Sequence, residues 1–317
     1  MRLAGIARLA AESDLLEAKS RVRYFEIESR SILNRTRPGM PFTWTLNPYR
    51  GCEFGCKYCF ARYTHEFMEL PDNFEDRIYA KAAAPEILKR EFHKVKHREG
   101  IAIGTATDPY QPAERRFQRT RAILEVFAAE KGRRVSITTR SDLITRDLDL
   151  LREVGRRHAL GVNITITTLD ANLARLLEPR APHPGLRVGA IAALRRAGIH
   201  TGVFANPVMP GLTDGDANLE SLARAVKAAG AEWFGGESLF LMPSAEKVFL
   251  PLLAARFPHL LERYRTLYAR AAFLSRGYKD ALRARVESLR RRHGLASAPV
   301  DYRPELWQEE REQLSLF

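Results

Sequence analysis

Apolar and polar residues alternate with two periodicities along most of the chain, and this pattern predicts repeated strand–helix units. Short runs of β-branched and apolar residues predict strands at 42–46, 101–104, 134–138, 161–166, 199–204 and 231–239. Apolar residues at three- and four-residue spacing predict intervening helices at 81–98, 115–131, 148–158, 171–177, 187–197 and 218–229. Such units in series favour parallel strands with right-handed crossovers. We therefore expect an α/β fold, a partial barrel with fewer strands than the eight of a closed one.

The segments on either side of this pattern predict a four-part organisation. Residues 1–40 are expected to form an extension with a short helix at 10–16, and 41–245 the partial barrel. Residues 246–296 predict a basic helical extension. Residues 297–317 contain Pro299 and Pro304 and predict a linker followed by a terminal tail.

All three cysteines of the chain lie in the stretch NPYRGCEFGCKYCF at 47–60. Cys52, Cys56 and Cys59 have C-x3-C-x2-C spacing, which lets three thiolates of one loop converge on a single metal centre. A [4Fe-4S] cluster held by three cysteines keeps one iron open for a non-protein ligand. The alternatives are a zinc site with His65 as its fourth ligand, or three ordinary buried cysteines.

The cysteine stretch resembles the radical S-adenosylmethionine (SAM) superfamily, whose motif has an aromatic residue before the third cysteine, as Tyr58 is here. The resemblance implies a [4Fe-4S] cluster whose open iron binds SAM, a 5′-deoxyadenosyl radical and an external electron donor. It also implies a partial (β/α)6 barrel. The chemistry of such barrels lies at the carboxyl ends of the strands, where the cysteine loop follows the first predicted strand.

The turn after the second predicted strand is similar to a Ser-Asp-Pro turn of the spore photoproduct lyase family. That resemblance implies SAM contacts for Thr107 and Asp108, and for Arg140 after the third strand, whose guanidinium suits the SAM carboxylate. The family's cysteine hydrogen donor corresponds to Thr105, whose O–H bond is too strong for that role. The resemblance then requires a tyrosine donor, for which Tyr110 is the candidate, or consumption of SAM.

The fourth predicted strand carries two polar residues in one register, Asn163 and Thr165. We expect one of them to contact the ribose of SAM.

Basic residues exceed acidic ones by 51 − 38 = 13, and the excess is concentrated near the carboxyl terminus. Between Arg256 and His293, eleven Lys and Arg face three Asp and Glu. Such a surface favours a polyanionic partner, and we expect DNA, although a solvated helix surface has the same composition. No stretch has the length of a membrane span, and the acidic residues near the amino terminus argue against a signal peptide, so we expect a cytoplasmic protein.

The last five residues, Gln313-Leu-Ser-Leu-Phe317, resemble the peptide with which bacterial polymerases and repair proteins bind the sliding clamp. Leu314, Leu316 and Phe317 suit a hydrophobic groove, and Gln313 suits a polar group at its entrance. The alternative is a tail that folds back onto the chain's own core.

Three hypotheses on function follow. The first is a radical SAM enzyme of DNA repair or modification. The second is a radical SAM enzyme acting on RNA, protein or a small molecule, with structural basic helices. The third is a non-catalytic iron–sulfur protein that associates with DNA.

Overall fold

A computed structural model describes residues 5–11, 13–19, 21–69, 74–299 and 301–307. Its strands, in chain order, are β1 Asp14–Lys19, β2 Val22–Ile27, β3 Leu33–Arg35, β4 Trp44–Leu46, β5 Tyr49–Arg50, β6 Arg77–Lys81, β7 Gly100–Ile103, β8 Arg134–Thr139, β9 Ala159–Thr165, β10 Thr201–Phe204 and β11 Phe234–Gly235. Its α-helices are α1 Gly5–Ala11, α2 Tyr63–Glu66, α3 Ala84–Glu91, α4 Glu114–Phe117, α5 Arg119–Ala129, α6 Leu148–Arg157, α7 Ala171–Leu177, α8 Pro184–Arg196, α9 Asp216–Ala228, α10 Pro243–Arg256, α11 Pro258–Tyr268 and α12 Arg276–His293.

The main sheet has the order β11-β10-β9-β8-β7-β4-β3. Neighbouring strands from β4 to β11 pair in parallel, and β3 pairs antiparallel with β4 at the edge. The predicted series of parallel strand–helix units is therefore confirmed. The sixth strand is shorter than expected, since only Phe234–Gly235 of the predicted 231–239 pairs as a strand.

Trp233 is fully buried and fills the space inside the partial barrel near the amino ends of the strands. A Cβ at Gly202 would lie 2.2 Å from this indole, so a strand residue with no side chain is required beside it. The indole Nε1 donates to Asn163 Oδ1 at 2.9 Å. Because this end is closed, the opposite rim, at the carboxyl ends of the strands, is where a ligand would enter.

The amino-terminal region forms a second sheet, of order β1-β2-β6-β5, which the sequence pattern did not predict. The expected helix at 10–16 is wrong in position, since α1 ends at Ala11 and β1 begins at Asp14. The helix expected at 81–98 begins only at Ala84, because Lys81 ends β6. In both places, residues whose apolar spacing predicted a helix form part of a strand instead.

The predicted helices of the basic region are present as α10, α11 and α12. The last of them packs into the main core through Leu282, Val286 and Leu289. The described part of the expected linker does not extend away from the barrel: the Tyr302 hydroxyl accepts from Leu160 N at 2.8 Å, and Trp307 Nε1 donates to Arg157 O at 2.9 Å. No helix of the described ranges is long and apolar enough to cross a bilayer.

Candidate active site

The cysteine loop is folded by two tight backbone turns. Gly55 N donates to Cys52 O at 3.2 Å, and Cys59 N donates to Cys56 O at 3.2 Å. Cys52 and Cys56 are buried and Cys59 is partly exposed. All three sulfur-bearing residues belong to one apolar cluster that also includes Phe54 and Tyr58. The loop thus places its three cysteines in or against one apolar cluster.

Gly51 sets the entry of this loop. Its φ is +77°, and a Cβ there would lie 2.5 Å from Arg77 O and 2.9 Å from Phe74 O. Both neighbours are backbone atoms, which cannot move aside without disturbing β6 and the segment before it. Glycine is therefore the residue that this position requires.

The turn after β7 anchors the loop through Thr107 and Gln111. Thr107 Oγ1 donates to Gly51 O at 2.6 Å, and Gln111 Nε2 donates to the same carbonyl at 3.1 Å. Gln111 Oε1 also accepts from Glu53 N at 2.9 Å. The predicted residue Thr107 thus lies at the site, with its hydroxyl hydrogen used to hold the loop.

Asp108 connects the ends of β7 and β8. Its Oδ1 accepts from Thr139 Oγ1 at 2.6 Å and from Tyr110 N at 2.9 Å, and its Oδ2 accepts from Arg140 N at 2.8 Å. Burial raises the pKa of this carboxyl, and the Arg140 guanidinium opposes that rise. Because protein donors occupy both oxygens, the geometry assigns Asp108 to scaffolding of the two strand ends.

Arg140 is the cation of the site. Its Nη1 lies 2.7 Å from Cys56 Sγ, 2.9 Å from Tyr58 Oη and 3.3 Å from Glu178 Oε1. The guanidinium carbon is 5.8 Å from the centre of the Tyr58 ring. The structure therefore brings together Cys56, Tyr58 and Arg140, three residues that the sequence predicted for the site.

Glu178 completes this network from the segment after α7. It accepts a hydrogen bond from Tyr58 Oη, and its Oε2 lies 2.5 Å from Arg187 Nη1. Although burial acts to raise it, the pKa of Glu178 is held below its usual value by Arg187 and Arg140. Leu177 O also accepts from Lys57 N at 2.9 Å, so backbone and side chain both join this segment to the cysteine loop.

Burial disfavours the thiolate form of all three cysteines when no metal is bound. Burial raises the pKa of Cys56 to about 12, although Arg140 acts in the opposite direction, and burial also raises the pKa values of Cys52 and Cys59. A bound metal reverses this preference by taking the proton's place. Three cysteines of one loop in an apolar cluster, with the Arg140 guanidinium against Cys56, fit a thiolate-bound cluster, whose assembly would release protons.

The alternative zinc ligand His65 is fully buried, and its ring packs edge-on to Phe74 at 5.2 Å and Tyr79 at 6.1 Å between ring centres. Within the described ranges, no three His, Cys, Asp or Glu side chains are arranged to hold a single metal ion. Three cysteine thiolates are the ligand set of a [4Fe-4S] cluster that keeps one iron open.

Comparison with known proteins identifies the family. A model of the radical SAM superfamily matches residues 46–223, which include the cysteine loop, Arg140 and Glu178. The chain belongs to the radical SAM superfamily. Its cofactors are accordingly a [4Fe-4S] cluster, with Cys52, Cys56 and Cys59 as the proposed ligands, and SAM.

Relatives of this radical SAM enzyme include an uncharacterised protein of Mycobacterium tuberculosis. The two are 36% identical over 288 residues, covering 89% of this chain and 84% of the relative. A protein of Pseudomonas phage M6 named radical SAM Nα-GlyT isomerase is 24% identical over 58% of this chain and 37% of its own. The structure of spore photoproduct lyase complexed with dinucleoside spore photoproduct has a TM-score of 0.65, with 14% identity over 85% of this chain and 79% of the lyase. That likeness confirms the expected radical SAM fold.

Two of the remaining predicted residues are Tyr110, the candidate hydrogen donor, and Asn163, a candidate ribose contact, and both lie in packed surroundings. Tyr110 is fully buried in the main core, and Asp147 and Glu114 are the charged neighbours of its hydroxyl. The side-chain amide of Asn163 is occupied by Trp233, Ser136 Oγ at 2.9 Å and Ile137 O at 3.3 Å. Both placements argue against the predicted roles, because these strand and turn positions face the packed interior rather than the rim.

Thr165 ends β9 one pleat closer to the rim than Asn163, and its carbonyl accepts from Arg187 Nη1 at 3.3 Å. It remains the candidate for the ribose contact. The tail residues Gln313, Leu314, Leu316 and Phe317 lie outside the described residues.

Sequence reasoning missed four residues that hold the cysteine loop and Arg140 in place. These are Glu178, Arg187, Gln111 and Asn47, whose Oδ1 accepts from Ala106 N at 2.8 Å. Asn47 and Gln111 do lie beside recognised motifs, which is a usable signal. Glu178 and Arg187 stand among helices with no motif of their own, and only the tertiary fold brings them to the cysteines.

Proposed function

We propose that this radical SAM enzyme acts on DNA, repairing or modifying a base. The observation that supports the proposal most directly is the position of the basic helices. Two of these helices, α10 and α11, pack on the cysteine loop, at the end of the barrel where radical SAM chemistry takes place, whereas α12 packs on the main core.

Helices α10 and α11 share one apolar cluster with the cysteines. Phe249 of α10 and Tyr264 of α11 are fully buried in it, with their rings 5.4 Å apart and edge-on. The rim loop after β10 also meets α11, because a Cβ at Gly211 would lie 2.9 Å from Leu260 and 3.5 Å from Arg263. These helices therefore form one wall of the entrance to the site.

The outer surface of this wall is positively charged. Arg256, Arg263 and Arg270 are exposed there. Long-range attraction of phosphates needs no specific contact, so this surface would bring a nucleic-acid backbone toward the rim. The same composition on the closed end of the barrel would not serve that purpose.

The comparisons agree with DNA as substrate without establishing it for this chain. The lyase structure that shares the fold contains a dinucleoside photoproduct, and the phage relative is named as an isomerase of Nα-GlyT. Both relationships have low sequence identity, so the proposal of a DNA substrate depends on the basic surface of this chain.

When bound and reduced, the cluster supplies one electron that cleaves SAM to methionine and a 5′-deoxyadenosyl radical. The protein's part is to bury the thiols, to place the Arg140 guanidinium against Cys56 and to exclude water through the apolar cluster around the loop. An external one-electron donor is required, as in the rest of the superfamily. We keep Tyr58, Arg140 and Thr165 as proposed SAM-contacting residues.

The test is SAM cleavage by anaerobically reconstituted protein with and without DNA carrying defined base lesions or modifications. We expect 5′-deoxyadenosine to form on reduction, and a DNA product to appear in the same incubation. Cys56→Ala should abolish both, with loss of bound iron. Formation of 5′-deoxyadenosine that no DNA alters, and that RNA or a protein extract does stimulate, would contradict the DNA assignment.

We further propose that the tail 313–317 binds the bacterial sliding clamp. Tethering would raise the enzyme's concentration on replicated DNA without changing its active site. Calorimetry with purified clamp should show binding by the full chain and none by a chain ending at Gln308. Equal binding by both chains would contradict the tail's role.

A further inference from the structure

Five aromatic rings form a continuous row beside the cysteine loop. We call it the aromatic row, and its members are Phe67, Tyr63, Phe60, Phe240 and Phe273. They come from three separate segments. Phe60, Tyr63 and Phe67 lie in the 3-10 helix after Cys59, in α2 and just after α2; Phe240 follows β11, and Phe273 lies in the loop before α12. Because tertiary structure brings them together, the row is not the apolar stripe of one amphipathic helix.

The rings contact one another in sequence along the row. Ring centres are 5.7 Å apart between Phe67 and Tyr63, 6.3 Å between Tyr63 and Phe60, and 6.2 Å between Phe60 and Phe240. Phe240 and Phe273 are stacked at 4.3 Å with an angle of 17° between their planes. The row begins one residue after Cys59, the most exposed of the three cysteines.

The row is open to solvent. Phe60, Phe67 and Phe273 are 39%, 63% and 57% exposed, and they are three of the five exposed large hydrophobic side chains of the described residues. Single exposed apolar residues are common on soluble proteins, but contiguous ones mark a binding surface. The side chains selected here are flat rings rather than aliphatic groups.

Cations border the row. Lys279 Nζ lies 5.7 Å from the centre of the Phe273 ring, and the side chain of Arg276, one turn earlier on α12, is 94% exposed. Lys247, whose side chain is 67% exposed, connects α10 to α2 through Glu66 at 3.6 Å. Flat rings bordered by cations match a ligand with flat faces and a negative backbone, which is the chemistry of single-stranded nucleic acid.

We propose that the aromatic row is a stacking platform for unpaired bases of a DNA strand. It would hold the strand next to Cys59 and present one base to the open rim of the barrel. The inference rests on the proposed action on DNA and specifies its substrate as unpaired or locally opened DNA. A base enclosed in a duplex has no free face for these rings, and enzymes that react with bases take them out of the stack.

Fluorescence anisotropy tests the platform with cluster-loaded, full-length protein and a labelled oligothymidylate of about twelve nucleotides, within the site sizes of stacking proteins. We expect the single strand to bind more tightly than its duplex with oligoadenylate. Phe67→Leu and Phe273→Leu should each weaken binding about tenfold, since each removes a stacking face. The matched control is Leu186→Ala, an equally exposed apolar residue at 54% on α8, which should bind as the unmodified protein does.

The salt dependence separates stacking from charge. The two Phe variants should keep the slope of log affinity against log salt, whereas Lys279→Gln should reduce it by about 0.7, the value of one phosphate contact on a single strand. Unchanged affinity in both Phe variants, or tighter binding of the duplex, would overturn the platform. A docking site for an electron-donor protein would instead show normal DNA binding with slower reduction by that donor.

The outcomes are distinct from those of the proposed function. SAM cleavage without DNA, with dithionite as reductant, should be equal in the Phe variants and the unmodified protein. Ring-dependent binding without any DNA product would leave the platform in place and contradict the reaction on DNA. DNA turnover at full rate by both Phe variants would contradict the platform alone.

Discussion

Arg140 Nη1 lies 2.7 Å from Cys56 Sγ, so a fixed cation is in contact with one of the three proposed cluster ligands. The same nitrogen is 3.3 Å from Glu178 Oε1, and the other oxygen of Glu178 is 2.5 Å from Arg187. Positive, negative and positive charges therefore follow one another from Cys56 inward, on Arg140, Glu178 and Arg187. Glu178 neutralises the buried Arg187 and the partly exposed Arg140, and this carboxylate helps to hold Arg140 against the sulfur.

Replacing Glu178 with Gln should destabilise the protein strongly. The variant keeps an oxygen for the Tyr58 hydroxyl but leaves Arg140 and Arg187 without their shared carboxylate in a fully buried place. Removal of one partner of a buried ion pair typically costs about 3 kcal/mol or more. Chemical denaturation would measure this loss.

The matched control is Glu305→Gln, which removes an ion pair of 2.8 Å to Arg156 on the surface. No measurable change in stability is expected there, because exposed pairs contribute little. Similar losses in the two variants would show that the Glu178 network has no special role.

Replacing Arg140 with Met should lower the reduction potential of the bound cluster. Reduction adds negative charge to the cluster, and a guanidinium beside Cys56 favours the more negative state. Its loss therefore makes the cluster harder to reduce. A redox titration followed by electron paramagnetic resonance would measure the shift, and Arg140→Lys, which keeps the charge, should shift it less. An unchanged potential in both variants would mean that the guanidinium does not influence the cluster.

The parallel strands and the cysteine loop were predictable from sequence because their signals are local. Each buried strand is a short apolar run, and the three cysteines lie within eight positions of one another. Thr107 and Arg140 were predicted from the resemblance to the spore photoproduct lyase family, and they lie near each other because the carboxyl ends of parallel strands meet at one rim.

Other parts of the site carry no such local signal. Glu178 is 120 positions from Tyr58, to which it is hydrogen-bonded, and a lone glutamate between two helices has no periodicity to reveal it. The second sheet was missed in part because Tyr49–Arg50 is too short to display alternation and β6, buried at four of its five residues, does not alternate. The burial of Tyr110 had no local signal either, because sequence position next to the rim does not tell which way a side chain points.

Replacing Gly51 with Ala should disrupt the cysteine loop. The added Cβ would meet two backbone oxygens within 3 Å, at a φ that already disfavours side chains. Overpacking and φ strain together predict a loss of about 3 kcal/mol and reduced iron incorporation. Denaturation curves and iron analysis would report the two effects.

Gly39→Ala supplies the comparison. Its φ is +92°, but a Cβ there would have nothing within 4 Å, so it tests backbone strain alone. A loss of about 1 kcal/mol with normal iron content is expected. Equal iron contents in the two alanine variants would contradict the requirement for glycine at position 51.

His158 should make the stability of the protein fall in mild acid. It is fully buried, its Nε2 lies 2.8 Å from Phe127 O, and its Nδ1 accepts from Arg133 N at 3.2 Å. Burial lowers the pKa of His158 to about 4, from an ordinary value of 6.5. The unfolded chain therefore binds a proton below 6.5 that the folded chain refuses until the pH approaches 4, and stability is lost as the pH falls through this window.

The expected loss from this group between about pH 7 and pH 5 is about 2 kcal/mol. Buried carboxylates add to the acid sensitivity, so the histidine is isolated by comparison with His158→Gln, which has no charge to gain. Urea unfolding at the two pH values should show a smaller decrease for the variant by about this amount. Equal decreases in the two proteins would mean that His158 is protonated as readily in the folded state as in the unfolded one, in conflict with its enclosure between α5 and the segment before β8.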